Sequence, residues 1–446
     1  MMSKLITSTI TATIVGAGFV IATCTQISAT KPPQLLQQAI QLRAQGLDGL
    51  EKFLNTHATE LDNPSPQMHQ ALDTLCQQKD CHASKVYWYT DLEQAKAADQ
   101  ASNKPILSLR LLGRLDQDLS CANSRFFRVA LYPNTEISKY LRQNYILHWQ
   151  SVRSAPKVTV DFGDGRKLER TITGNSIHYI LDSYGHPVDA IPGLYGPQAF
   201  LRQLVDGEKA IKEYTRRQGT ARQNFLRDYH RQRLGSIQQQ WNADLAKLDI
   251  QNPPRLVEML TLSNEPPSAP VAGTIAVTKM ATETPMLRNI SPTINNPTSL
   301  QKITDEATWR RIAQLYRSDA KLDKNSIALI SSKRFQKGNA ESLQRVVSNF
   351  EAAMALDTAR NEYMLHSQIH QWFIQGNGTN EVNLLNEKVY AELFLTPNSD
   401  PWLGLMSSEG YSAIDNDGVQ SSLGTSQPLP YGTLRERGSQ KSKVKN

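Results

Sequence analysis

The chain has 446 residues, of which 39% are hydrophobic and 20% are charged. This balance is typical of soluble globular proteins and argues against a polytopic membrane protein, while the length predicts two or three folded units. The formal net charge is +7, and a basic C-terminal tail accounts for much of it, so the folded body is close to neutral.

Residues 1–29 have the pattern of an export signal. Lys4 precedes an uncharged, Thr-rich stretch over 5–23, and residues 27–29 (Ile-Ser-Ala) resemble a small-residue cleavage site. Two alternatives to cleavage are an uncleaved anchor and lipidation of Cys24. We therefore expect an exported protein, periplasmic or extracellular, either released by cleavage or attached to the membrane by this segment or by lipidated Cys24. No later stretch is long and apolar enough to predict a second membrane span.

The rest of the chain is predicted to form six consecutive segments. They are an N-terminal helical segment (30–83), an α/β domain (84–206), a long helix (207–249), a Pro-rich linker (250–300), a helical C-terminal unit (301–410) and a disordered basic tail (411–446). The tail carries the charge pattern of a segment that touches nucleic acid or anionic lipid, but we favour the simpler interpretation of a solvated, disordered chain end. We expect no nucleic-acid partner, because no nucleic-acid motif accompanies the basic residues.

The α/β prediction depends on alternating patterns over 84–206. The helical pattern at 92–98 is followed by an apolar run over Ile106–Leu112, interrupted by Ser108 and Arg110, which suits a buried strand. Further strands are predicted at 145–149 and 178–181, and Gly163-Asp164-Gly165 predicts a hairpin turn. A closing helix is predicted at 197–204. Such alternation is typical of α/β layer architectures.

The segment after this domain shows a different periodicity. In the predicted long helix, Leu234, Ile237, Trp241, Leu245 and Leu248 recur every three or four residues. This narrow apolar seam is typical of a coiled coil or of a helix lying on a partner, and it permits a homodimer. Eight prolines fall in 250–300, a segment with few charges and no sustained periodicity, and this predicts an extended and mobile linker.

The α/β segment resembles the thioredoxin-like domains of exported bacterial proteins. The resemblance covers residues 86–205 and consists of Trp88-Tyr89, a Glu-x-Ala helix, and Lys104-Pro105 leading into the first core strand. Cys121-Ala122-Asn123-Ser124 then stands where the family has Cys-x-x-Cys before a helix. Tyr132 follows at the family's aromatic position, and 177–185 resembles the closing hairpin. The resemblance implies a thioredoxin fold and a redox site at Cys121, with Ser124 in place of the resolving cysteine.

Two functions follow from this site. A thiol at a helix N-terminus is stabilised as the nucleophilic thiolate, and Arg125 and Arg128 would add to the effect. Cys121 would then be a monothiol that exchanges with disulfides, although Ser124 cannot resolve the mixed disulfide. The alternative is a non-enzymatic envelope scaffold, in which Cys121 is buried or disulfide-bonded and the domain binds a protein partner. Ser176 at the family's usual proline position favours this second reading.

Other candidate groups are the remaining cysteines and one histidine pair. We expect a disulfide either between Cys76 and Cys81 or between Cys121 and one of these two cysteines. Glu362, His366 and His370 recur every four residues, so they share one helix face and are weak candidates for metal ligands. Partly buried polar residues explain the same pattern. We therefore predict no metal and no cofactor.

Overall fold

The computed structural model describes residues 34–254, 268–290, 305–334, 339–376, 379–405 and 414. The predicted export segment with Cys24, and all but one residue of the predicted basic tail, lie outside the described residues. Among the described helices, none combines the length and the apolar character needed to cross a membrane.

The N-terminal segment forms a small helical cluster. Its helices are α1 Gln34–Arg43, α2 Leu47–Thr56, α3 Pro66–Cys76 and the short α4 Cys81–Ser84. α3 begins where it does because Ser65 Oγ accepts a hydrogen bond from the Met68 amide at 3.2 Å. Phe53 and Leu72 are buried in a separate apolar cluster between these helices. Cys76 and Cys81 form a disulfide that joins α3 to α4, so the first of the two predicted pairings is the one present.

A five-stranded mixed sheet follows, so the α/β class is confirmed. Its strands are β1 Trp88–Tyr89, β2 Ile106–Leu112, β3 Ile146–Arg153, β6 Ile177–Leu181 and β7 Pro187–Pro192. They lie in the order β1-β3-β2-β6-β7. β1 and β2 are parallel to β3, whereas β6 is antiparallel to both β2 and β7. Every residue of β2, β6 and β7 is buried, which requires cover on both faces of the sheet.

Helices and one hairpin complete this part of the chain. The helices are α5 Leu92–Ser102, α6 Ala122–Phe126, which continues as a π-helical turn over Phe127–Leu131, and α7 Thr135–Asn144. Asp91 and Asn134 cap α5 and α7 with their side chains. The predicted hairpin is confirmed as β4 Lys157–Asp161 and β5 Lys167–Thr171.

The predicted single helix over 207–249 is instead two helices. α8 covers Pro197–Thr215 and α9 covers Gly219–Lys247, and Gly219 adopts a positive φ of 53° at the start of α9. The apolar seam of α9 is covered within the same chain. The ring centroid of Trp241 lies 5.4 Å from that of Trp309 and 4.8 Å from that of Tyr363. The seam therefore has an intramolecular partner, and the homodimer stays a prediction.

The predicted linker is wrong over 268–290. These residues form α10 Ala269–Gly273 and α11 Val277–Ile290, and both helices contribute buried side chains. Asp357 caps α11, because its carboxylate accepts hydrogen bonds from the Val277 amide at 2.6 Å and the Thr278 amide at 3.0 Å. A proline in the first turn of α10 is compatible with a helix, so proline content alone was a misleading signal.

The C-terminal residues are helical, but the structure does not separate them from the sheet. Their helices are α12 Glu306–Ala313, α13 Lys324–Ser332, α14 Ala340–Arg360, α15 Ser367–Gln375 and α16 Val382–Lys388. π-helical turns over Asn361–His366 and Val389–Leu393 follow α14 and α16. Trp309, Tyr363 and Tyr390 share one continuous hydrophobic core with sheet residues such as Leu109 and Tyr179. The prediction of an independent unit on a flexible linker is therefore wrong for these helices.

Candidate functional site

Cys121 lies immediately before α6, at the end of the loop that follows β2. Its amide donates to the Leu112 carbonyl at 3.0 Å, which fixes the loop against the strand. Its Sγ lies 3.0 Å from Ser176 Oγ and 3.4 Å from Ser124 Oγ. The structure thus brings the two predicted site residues together and adds Ser176, which faces the thiol from the residue before β6. Cys121 is a free thiol, and its exposed fraction is 0%.

The later helices cover the loop that faces Cys121. Tyr390 donates its hydroxyl to the Asn175 carbonyl at 2.8 Å, and Lys279 Nζ donates to the Gly174 carbonyl at 2.9 Å. The Thr173 amide donates to Glu283 Oε2 at 3.2 Å. These contacts come from α11 and from the turn after α16, so two segments distant in sequence close over the thiol.

This geometry does not support thiol exchange in the observed conformation. A thiolate must reach a sulfur of its partner disulfide, and a fully buried Sγ cannot do so. Among the described residues, the other two cysteines are already bonded to each other in the N-terminal cluster. Ser124 Oγ donates to the Cys121 carbonyl and cannot act as a resolving thiol. The side chains of Cys121 and Ser124 are therefore part of the packed interior in this conformation.

An open groove lies on the other side of α6. It has a volume of about 720 Å³ and runs between α6, α11, α13 and α14. Phe126 and Phe350 form part of its floor, with ring centroids 5.1 Å apart. The other apolar lining residues are Leu119, Val129, Ala281, Ile330, Val346 and Ala353. Val346 is 40% exposed, so apolar surface faces solvent here.

Charged side chains line the edge of this groove. The basic ones are Arg125, Arg128, Arg170, Lys333 and Arg334, and the acidic ones are Asp80, Asp118 and Glu169. Five positive against three negative charges leave a surplus of two positive charges. Arg128 is buried, and its Nε and Nη1 have no hydrogen-bond partner among the described residues. Burial lowers the pKa of Arg128, opposed by the charges of Asp80 and Asp118.

The predicted Glu362, His366 and His370 lie in a third location, behind β7. His366 Nδ1 lies 3.2 Å from Glu362 Oε2, and His366 Nε2 lies 3.3 Å from Asp189 Oδ1. His370 Nδ1 lies 2.7 Å from His230 Nδ1 on α9. The sequence pattern found one side of this cluster and missed Asp189 and His230, which come from β7 and α9. The available sequence signal for Asp189 was that it is the one charged residue within Pro187–Pro192.

Burial and neighbouring charges shift the pKa values of this cluster strongly. Burial would lower the pKa of His366, but the Glu362 and Asp189 carboxylates raise it to about 9. Burial lowers the pKa of His230 to about 4, and burial together with His366 lowers that of His370. Burial would raise the pKa of Asp189, yet its bond to His366 holds it well below the usual range. The two carboxylates therefore favour the protonated form of His366, whereas burial favours the neutral forms of His230 and His370.

Comparison with protein-family models, with curated proteins and with solved structures found no match to this chain. The geometry of its own residues is therefore the basis for assigning a function.

Proposed function

We propose that this chain is an exported, non-enzymatic binding protein, and that the groove between α6, α11, α13 and α14 holds its ligand. The burial of Cys121 is the observation that carries this proposal. The same short helix has a sealed thiol at its N-terminal end and an open apolar groove along its flank. A binding role would use the exposed groove, whereas thiol exchange would need the buried thiol of Cys121.

We also propose that the sheet and its helices have a thioredoxin-like fold. The order of elements supports this, since α5 leads through Pro105 into β2, Cys121 precedes α6, and β6 and β7 form the closing hairpin. Folds of one class host both enzymes and binding modules, so the fold leaves the function open. Monothiol exchange through Cys121 stays a prediction that would require the segments around Tyr390 and Lys279 to open.

The ligand that fits the groove is a protein segment with apolar and acidic side chains. The floor offers exposed apolar surface, which is favourable to bury. The edge has more cations than anions, so acidic side chains are attracted and basic ones repelled. Arg128 also lines the groove, but it is buried and its Nη1 lies 4.0 Å from Asp80 Oδ2, so it adds positive charge beneath the surface and does not contact the ligand.

A peptide titration tests this proposal. The probes are two fluorescently labelled decapeptides, one alternating leucine with glutamate and the other alternating leucine with lysine. We expect the acidic peptide to bind, the basic one to bind much more weakly, and added salt to weaken binding. Val346→Glu places a carboxylate in the groove and is expected to weaken binding of the acidic peptide by about tenfold or more.

Leu384→Glu is the matched control, because Leu384 is also an exposed apolar residue on a helix, 53% exposed, but lies outside the groove. It should leave peptide binding unchanged. Equal binding of the two peptides, or equal weakening by Val346→Glu and Leu384→Glu, would contradict the proposal.

A further inference from the structure

His370 has a buried nitrogen that the fold leaves without a partner. Its Nε2 makes no hydrogen bond to any described residue, although the side chain is fully buried. An unsatisfied polar atom in the interior destabilises the fold, so such a group calls for an explanation. Asp189, His366 and His370 each direct one atom to the same place, and these three atoms lie within 4.8 Å of one another.

The hydrogen bonds of His230 determine which nitrogen of His370 carries the proton. His230 Nε2 lies 3.1 Å from the Val188 carbonyl, which can only accept, so this nitrogen must be the donor. In the imidazole tautomer that has its proton on Nε2, Nδ1 carries the lone pair and accepts. His370 Nδ1 must then donate to it across 2.7 Å. His370 Nε2 consequently carries no proton, and an imidazole nitrogen with a free lone pair is the form that binds metals.

We propose that Asp189, His366 and His370 form a binding site for a divalent transition-metal ion of the zinc class. Two imidazoles and one carboxylate are a donor set that such ions prefer, and solvent would complete four-coordination. Bonds of about 2.0 Å in a tetrahedral centre place ligand atoms about 3.3 Å apart. His366 Nε2 and Asp189 Oδ1 already have this 3.3 Å separation. The three ligand atoms are at most 4.8 Å apart, so metal binding would shorten the widest of their separations by roughly 1.5 Å.

The surroundings of the three ligands are those of a supported metal site. The other ring nitrogens are each held, His366 Nδ1 by Glu362 Oε2 at 3.2 Å and His370 Nδ1 by His230. Asp189 Oδ2 accepts from the Tyr229 hydroxyl at 2.6 Å, which orients the carboxylate. When the ion binds, it takes the place of the proton that His366 Nε2 shares with Asp189, and that proton leaves to solvent.

A cavity open to solvent lies next to this site, and Glu362 stands between the two. A polar cavity of about 470 Å³ is lined by Gln203, Arg233 and Glu362, among others. Glu362 Oε2 accepts from Gln203 Nε2 at 2.8 Å on the cavity side and contacts His366 on the other. An ion entering the cavity therefore meets a carboxylate one contact away from the cluster.

Metal content of the untagged, full-length protein tests the site. The protein is stripped with a chelator, incubated with Zn²⁺ and desalted, and its zinc is counted by elemental analysis. We expect about one tightly held ion per chain, and Co²⁺ in its place should give the visible absorption of a four-coordinate site. Zinc should also raise the thermal midpoint of unfolding by roughly 3–5 °C when it is in large excess over the dissociation constant.

His370→Asn is the informative variant. The asparagine amide replaces Nδ1 and can keep the hydrogen bond to His230, while Nε2 is removed. It should retain the native circular dichroism spectrum and hold less than about a tenth of an ion per chain.

The matched control is His82→Asn, which breaks the other close histidine pair, since the rings of His69 and His82 stack with centroids 4.0 Å apart. This control should bind zinc as the unaltered chain does. Zinc that is lost with His82→Asn and kept with His370→Asn would overturn the proposal. If His370→Asn fails to fold, the zinc content and the thermal midpoint of the unaltered chain test the proposal instead. Absence of both bound zinc and a zinc-dependent rise of its thermal midpoint would overturn the proposal as well.

Discussion

In the native protein, Cys121 is expected to react with a small aromatic disulfide reagent about a thousandfold more slowly than in the unfolded chain. The reason is that its exposed fraction is 0%, and that α11 and the Tyr390 turn must move before a reagent can reach Sγ. An opening that costs about 4 kcal/mol gives this protection. The measurement is the rate of thiol release in buffer and in denaturant, in a Cys24→Ser background so that one free thiol remains.

Tyr390→Ala extends this test. It removes the ring and the hydroxyl that hold Asn175, so we expect the native reaction to become at least about tenfold faster. Tyr184→Ala removes an exposed tyrosine of the same sheet domain and should leave the rate unchanged. A native rate within tenfold of the unfolded rate would show that the thiol is accessible, contrary to the structure.

Trp309→Ala is expected to reduce the free energy of unfolding by about 3–5 kcal/mol. Trp309 is 1% exposed and packs between Trp241 of α9 and Tyr363. Because its core is continuous with that of the sheet, the sheet and the C-terminal helices should lose stability together. Denaturant unfolding followed by circular dichroism should show one transition, shifted as a whole.

Phe162→Ala is the control for this substitution, because Phe162 lies in the β4–β5 hairpin region and is 55% exposed. We expect it to change the free energy of unfolding by less than about 0.5 kcal/mol. Separate unfolding of the sheet and the C-terminal helices in the unaltered chain would mean that these two parts fold independently. A loss below about 1 kcal/mol in Trp309→Ala would contradict the packing of Trp309 against Trp241 and Tyr363.

Local patterns predicted the elements of the sheet domain well. The buried strand at 106–112 and the Gly163-Asp164-Gly165 hairpin were found because an apolar run and turn residues are short-range signals. β1 was missed because it is only two residues long, and β7 because Pro187 and Pro192 bound it and Asp189 interrupts it. The break between α8 and α9 falls just before Gly219, which has a positive φ, and the sequence analysis did not predict a boundary there.

Long-range packing was the part that the sequence did not reveal. Proline content suggested a linker, yet residues 268–290 are held by Asp357 and by the loop facing Cys121, which no local pattern encodes. The histidine spacing correctly placed His366 and His370 together, because that spacing is a property of one helix. Their partners Asp189 and His230 come from other elements, so only the three-dimensional fold unites the cluster.

The most direct test of the account is a turnover assay for thiol–disulfide exchange with the unaltered chain and Cys121→Ser side by side. The assay follows reduction of a protein disulfide by a dithiol reductant in the presence of each protein. We expect both to leave the uncatalysed rate unchanged, since Cys121 is sealed and the described residues offer it no resolving thiol. Catalysis of tenfold or more by the unaltered chain, lost in Cys121→Ser, would contradict the binding role and establish a working redox site.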